Sequence, residues 1–189
     1  MPRSKRDNLL NTAEMLFYRE GFHATGIDRV IREAGVARMT LYHHFPSKEA
    51  LVMAVLRRRH RRYFERLDRA ITDAVRAGQD PLRAVTDAHF EWLEGPGPQG
   101  CMLIKAIAEY AAHEPQIDQL AAEYKQNLLA LLRELWAVSG RVGDDDIPGE
   151  LFVVLEGATS LIPVIGGEAV THGRHMAGRV LGHTPLVRE

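Results

Sequence analysis

The chain has 189 residues, 46% of them hydrophobic and 26% charged, with a net charge of −1 and a single cysteine, Cys101. This composition describes a globular protein with a real core, and it excludes an internal disulfide and a cysteine-rich zinc site. No run of eighteen apolar residues occurs, and the N-terminal MPRSKRDN is charged with no apolar signal region, so a cytoplasmic protein without a membrane partner is expected.

The small net charge hides an asymmetry. Residues 1–62 carry 13 Lys and Arg against 6 Asp and Glu, a net of +7, and the remaining 11 basic and 19 acidic residues give −8. A basic head on an acidic body suits a polyanionic partner at one end and solubility at the other.

Residues 3–20 open with a basic arm, Arg3, Lys5 and Arg6, and continue as a helix with Leu9, Leu10, Ala13, Leu16 and Phe17 on one face. Glu20-Gly21 ends it. Lys5 and Arg6 read equally well as groups near a phosphate backbone and as a frayed, solvated terminus. In TGIDRVIREAGV, Ile27, Val30, Ile31 and Ala34 recur at helical spacing. Thr25 is placed to cap the first turn, and Gly35 to end the helix in a left-handed conformation. A second short helix begins near Arg38. Leu41 and Phe45, four apart, share its buried face, which turns Arg38, Thr40, Tyr42, His43 and His44 outward. Two helices joined by a short turn containing Gly form either a helix-turn-helix or an ordinary corner, and spacing alone leaves both open.

After Pro46, Ser47 caps a long helix reaching about Ala77, with Lys48 in a first turn suited to hold a phosphate. The run RRRHRR at 57–62 reads as a solvated face near an anionic partner. Leu51, Val55 and Leu56 should tie this helix to the head, and Tyr63, Phe64, Leu67, Ile71 and Val75 should tie it to the body. Asp80-Pro81 opens a helix to about Glu94 with a capping Asp and Pro in first position. GPGPQG at 95–100 is a break. A helix from Cys101 to His113 should bury Met102, Ile104, Ile107 and Ala108, and a long amphipathic one covers 116–138. The polar connection GRVGDDDIPG, with Asp144, Asp145 and Asp146, reads as a solvated turn rather than a metal loop. Two helices, about 149–165 and 167–181, close the chain and are rich in small and branched apolar residues.

The segment GVARMTLYHHFPSKEAL resembles the recognition-helix signature of the TetR family of transcriptional repressors, and GFHATGIDRVIREAGV is similar to the family's preceding helix. The resemblance covers residues 5–60; beyond them only helix layout and length agree. Ala37 stands where a capping Ser is common, and Met39 where Gly or a small residue is common.

The resemblance implies an all-α fold of about nine helices, with a three-helix DNA-binding domain over 1–46 and a regulatory, ligand-binding and dimerisation domain over 47–189. The helix at 47–77 links the two. It implies a homodimer joined through the last two helices and bound to a double-stranded, palindromic operator, with recognition helices about 34–36 Å apart or a multiple of that. Thr25, Tyr42, His43 and Lys48 would then hold phosphates, and Arg38, Met39 and Thr40 would read bases. A small-molecule effector in the body would be lined by residues such as His89, Trp92, Met102, Ile104, Glu109, Tyr110, Tyr124 and Trp136.

No catalytic, cofactor or metal site is expected. Cys101 has no identifiable basic partner, and His172 and His175 are better read as a polar interface edge than as a metal pair. An activator of the same fold, or a helical small-molecule binder without DNA function, are the rival readings.

Overall fold

The computed structural model describes residues 4–110, 114–141 and 146–182, and these form nine α-helices among the described residues. They are α1 (Lys5–Glu20), α2 (Ile27–Ala34), α3 (Arg38–His44), α4 (Lys48–Arg76), α5 (Pro81–Glu94), α6 (Met102–Tyr110), α7 (Pro115–Val138), α8 (Ile147–Ile165) and α9 (Gly167–Gly182). Capping chemistry sets several of the boundaries. Ser4 accepts from the Asp7 amide at α1, Ser47 from the Ala50 amide at α4, and Asp80 from the Leu82 amide ahead of Pro81 at α5. Gly35 ends α2 at φ 65°, ψ 38°, a left-handed position where Gly carries no steric penalty.

The helices pack as two compact units, and they divide the chain elsewhere than at residue 46. The first contains residues 1–61 and 102–121, so the opening half of α4, all of α6 and the start of α7 belong with α1–α3. Its buried residues include Leu9, Leu10, Leu16, Phe17, Phe22, Val30, Leu41, Phe45, Leu51, Val52 and Val55. Burying each of these aliphatic and aromatic side chains contributes about 1.5–3 kcal/mol, which fixes α2 and α3 against α1 far more firmly than their short lengths would alone.

The second unit contains residues 62–101 and 122–189. Leu67, Leu82, Val85, Phe90, Leu93, Leu132, Leu151, Leu155 and Val170 lie in one core, with Trp136 at its edge. The approach of α9 to α5 depends on Gly173: a Cβ there would stand 2.6 Å from a ring carbon of Phe90 and 3.0 Å from the Ala158 methyl. Polar ties close the rim. Arg141 pairs with Asp80 and donates to the Leu181 carbonyl at 2.8 Å, and Arg174 reaches Asp87 at 3.1 Å and Glu94 at 3.0 Å.

Three expected burials differ. Val75 is exposed on α4, where Leu67 and Ala74 are the buried positions. On α6 the buried face is Met102, Ala106 and Tyr110, while Ile104 and Ala108 face out. α6 follows its polar partners rather than its apolar count, for the reason given below. The described part of this helix ends at Tyr110, and His113, Asp144 and Asp145 lie outside the described residues; Asp146 is exposed ahead of α8 and makes no side-chain cap.

Candidate nucleic-acid interface

Helix α3 is seated by two side chains, Leu41 and Phe45, both buried against the rest of the first unit. With those facing inward, the helical period turns Arg38, Met39, Tyr42 and His43 to solvent, with Thr40 and His44 half-buried. Met39 is 78% exposed, so its thioether stands clear of the rest of the first unit. Arg38 pairs with Asp28 of α2, and both side chains are mostly exposed. Such a pair is worth little in water, so a base edge or a phosphate can take the guanidinium from Asp28 at small cost.

The surroundings of α3 are basic. The Arg6 guanidinium lies 5.4 Å from the Phe45 ring centroid, which places the first turn of α1 beside the end of α3. Lys48 stands in the first turn of α4, a helix of 29 residues whose N-terminal amides and dipole favour an anion. Partial burial lowers the Lys48 pKa from the usual lysine value.

Thr25 does not cap α2. Its side chain is fully buried and its hydroxyl donates to the Gly21 carbonyl at 2.8 Å, fastening the α1–α2 corner. Gly26 is the residue at the cap and supplies no side-chain bond, and Ala37 supplies none to α3. A phosphate contact by the Thr25 hydroxyl is therefore not supported. The first turn of α2 has no side-chain cap, which the sequence reading missed and which Gly at position 26 signals.

The basic run at 57–62 is only partly a solvated face. Arg58 and Arg59 both turn onto α1, where the buried Glu14 accepts from them at 2.8 and 3.1 Å, and Arg59 stacks 4.1 Å over the Tyr18 ring. The two guanidiniums compensate the buried Glu14 carboxylate and lock α4 to α1.

The expected pocket residues fall in both units. In the first, Glu109 on α6 accepts from the backbone amides of Phe22 at 2.9 Å and His23 at 2.6 Å, and the His23 ring donates from Nε2 to the Glu109 carbonyl at 2.6 Å. Tyr110 packs on both the His23 and Phe22 rings, and its hydroxyl pKa is pushed up to about 12, chiefly by burial. Lys105 adds a bond to the Tyr18 carbonyl at 3.3 Å. Glu109 and Tyr110 thus clamp α6 to the α1–α2 corner instead of lining a cavity. These inward polar groups are why Ile104 faces out. Met102 is buried at the opposite end of α6.

In the second unit, His89 sits at the centre of a hydrogen-bonded chain. The Tyr63 hydroxyl is 2.7 Å from His89 Nδ1, and His89 Nε2 lies 3.2 Å from the Leu155 carbonyl and 3.1 Å from Thr159 Oγ1. A carbonyl can only accept, and the Thr159 hydroxyl already donates to Leu155, so His89 is neutral with its proton on Nε2 and accepts from Tyr63. Burial drives the His89 pKa down to about 3 and raises that of Tyr63. Close by, Lys125 bonds Glu156 at 2.5 Å; burial opposes its charge, but Cys101 and Glu156 together raise its pKa. Cys101 therefore does have a basic neighbour, contrary to the expectation from sequence. Trp92 packs on Tyr63, Trp136 belongs to the hydrophobic core and Tyr124 is half-buried. His172 and His175 are exposed on α9.

A seated, outward-facing α3 behind a short α2, in an all-helical chain with a basic N-terminal unit, defines a helix-turn-helix protein of the class that regulates transcription. Residues 9–55 match the sequence profile of the bacterial regulatory proteins of the tetR family. The fold is shared with SCO4454, a TetR-family transcriptional regulator from Streptomyces coelicolor, at a TM-score of 0.83 and 30% identity over 95% of each chain. The chain belongs to the TetR family, whose members are transcription regulators and not enzymes.

Among curated relatives it is 37% identical over 108 residues to the transcriptional activator FasR of Mycolicibacterium smegmatis, a match spanning 55% of this chain and 47% of FasR. It is 27% identical over 134 residues to the transcriptional repressor NemR of Escherichia coli, spanning 68% of this chain and 65% of NemR. The matched segment is thus about half to two thirds of the length of these relatives.

Proposed function

We propose that the chain is a ligand-responsive repressor that binds a palindromic operator as a homodimer, with one α3 in each of two major grooves. The observation that carries this is α3 itself: Leu41 and Phe45 hold it, and Arg38, Met39 and Tyr42 are presented to solvent with only a labile Asp28 contact on Arg38. Arg38, Met39 and Thr40 are the base readers in this reading. Tyr42, His43, Lys48 and the first turn of α2 hold phosphates.

The homodimer reading is supported by α8 and α9. Val153, Leu161, Val164 and Ile165 recur along α8 at intervals that keep them on one side, and all are exposed, as is Met176 on α9. α8 is 19 residues long and apolar enough to cross a membrane, yet it packs its other side on α5 and α9. A stripe of this kind beside Gly157 suits a second copy of the same helix pair, with His172 and His175 at the polar rim.

An effector in the second unit is supported by the polar chain of Tyr63, His89 and Thr159 beside Lys125 and Glu156, a group of buried polar residues that a ligand could engage. Its effect on operator affinity equals its differential affinity for the two geometries of the dimer. α4 and α7 each run unbroken from one unit into the other and are covalent routes between them. The relative FasR is named an activator, so the same geometry with the opposite sign is the second reading.

Selection of bound duplexes from a random pool tests the proposal. It should enrich an inverted repeat with half-sites about one helical turn apart, or a multiple of that. Enrichment of single half-sites, or of nothing, would count against it.

A further inference from the structure

A groove of about 640 Å³ runs along α4 within the first unit, between α1 and the start of α7. Four guanidiniums line it, from Arg6, Arg57, Arg58 and Arg61, against two carboxylates, Glu49 and Glu114. The volume falls in the range of small-molecule sites, which run from about 300 to 1,000 Å³.

The arginines differ in how well they are satisfied. Arg58 gives one end of its fork to Glu14, but its Nε is buried and has no hydrogen-bond partner. A buried donor of that kind calls for an acceptor. Arg57 is exposed, and Arg61 follows it one helical turn later, so their Cβ atoms are about 6 Å apart on one face. Arg6 faces the groove from α1 and meets the Phe45 ring rather than a carboxylate. Guanidiniums spaced along a helix match consecutive phosphates, because each fork can bond two oxygens of a separate group.

We propose that this groove binds a polyphosphate group, as inorganic pyrophosphate or carried by a small molecule, with its oxygens on Arg57, Arg58 and Arg61. The three arginines proposed to hold the anion stand on α4 and not on α3, and the proposal holds whether or not the chain binds DNA.

Calorimetric titration of the full-length protein, free of DNA, with inorganic pyrophosphate and in parallel with adenosine diphosphate tests it. Saturable binding of one anion per chain is expected. Arg57→Ala should weaken it about tenfold, the scale of one lost charge-assisted pair, and Glu114→Gln should tighten pyrophosphate binding by removing a like charge. Tighter binding of the diphosphate than of pyrophosphate would assign a carried group, and equal binding the inorganic anion. Absence of saturable binding would overturn the proposal. So would binding that falls in Arg38→Ala, on α3, while Arg57→Ala leaves it unchanged, since the anion would then occupy the α3 surface.

Discussion

His89 makes the stability of the second unit depend on acid in a way that can be worked out. In the unfolded chain its imidazole titrates near 6.5, and in the folded chain burial, opposed by the bond to the Leu155 carbonyl and helped by the Lys125 charge, holds it neutral down to about pH 3. The folded pKa is the lower one, so between these values the unfolded state binds the proton first. The contribution is fully present above pH 6.5 and is lost progressively as pH falls toward 3. Relative to pH 8, the expected loss at pH 5 is about 2 kcal/mol, since each unit of pH in that window is worth about 1.4 kcal/mol. Urea unfolding of the wild type and of His89→Gln at pH 8 and pH 5 isolates this from every other titration. The variant should be less stable at pH 8 by about 1–3 kcal/mol, because the Tyr63 and Leu155 partners lose geometry. Its further loss on going to pH 5 should be smaller than the wild type's by about 2 kcal/mol. Equal losses in the two proteins, or an imidazole of His89 that titrates near 6.5 in the folded state, would refute the reasoning.

Three other predictions follow from particular contacts. Glu109→Ala removes the acceptor of the Phe22 and His23 amides, which are part-buried and exposed; amide hydrogen exchange at those two positions should accelerate, with a stability loss of about 1–2 kcal/mol. Unchanged exchange would mean that α6 is not clamped there. Gly173→Ala puts a methyl against Phe90 and Ala158 and should cost about 1–3 kcal/mol, read as a lower melting temperature; an unaltered melt would show that α9 has room to shift. Leu161→Glu on the exposed stripe of α8 should convert a dimer to a monomer in sedimentation while leaving the helical content intact, and a dimer that survives it would move the interface elsewhere.

Much of this fold was legible because apolar spacing and punctuation agreed. The stripe on α1, the Leu41–Phe45 pair under α3, the left-handed Gly35 and the Asp80-Pro81 start are local devices whose physics is complete within a few residues. The resemblance then supplied the family. What the sequence did not disclose is long-range and polar. Nothing local says that Glu14 will sit between Arg58 and Arg59, 44 and 45 residues away, or that Glu109 will cap amides 86 and 87 residues back. Those partners decide which face of α6 is buried, so of Met102, Ile104, Ile107 and Ala108 only Met102 is fully buried, Ile107 is half-buried, and Ile104 and Ala108 face out. Thr25 failed for a similar reason: a hydroxyl before a helix is a cap only if the tertiary fold leaves it pointing there.

The central claim is that α3 reads DNA. Its most direct test compares the purified wild type, Arg38→Ala and Lys48→Ala for binding to the DNA upstream of the chain's own coding region, at two salt concentrations. Tight, salt-sensitive binding that survives competitor DNA is expected. Arg38→Ala should cost about 1–3 kcal/mol and relax sequence preference, and Lys48→Ala should weaken all duplexes alike and flatten the salt dependence. If that DNA holds no operator, the same comparison applies to the duplex enriched from the random pool. Loss of neither affinity nor specificity in Arg38→Ala, or no salt-dependent binding of any duplex by the wild type, would contradict the account.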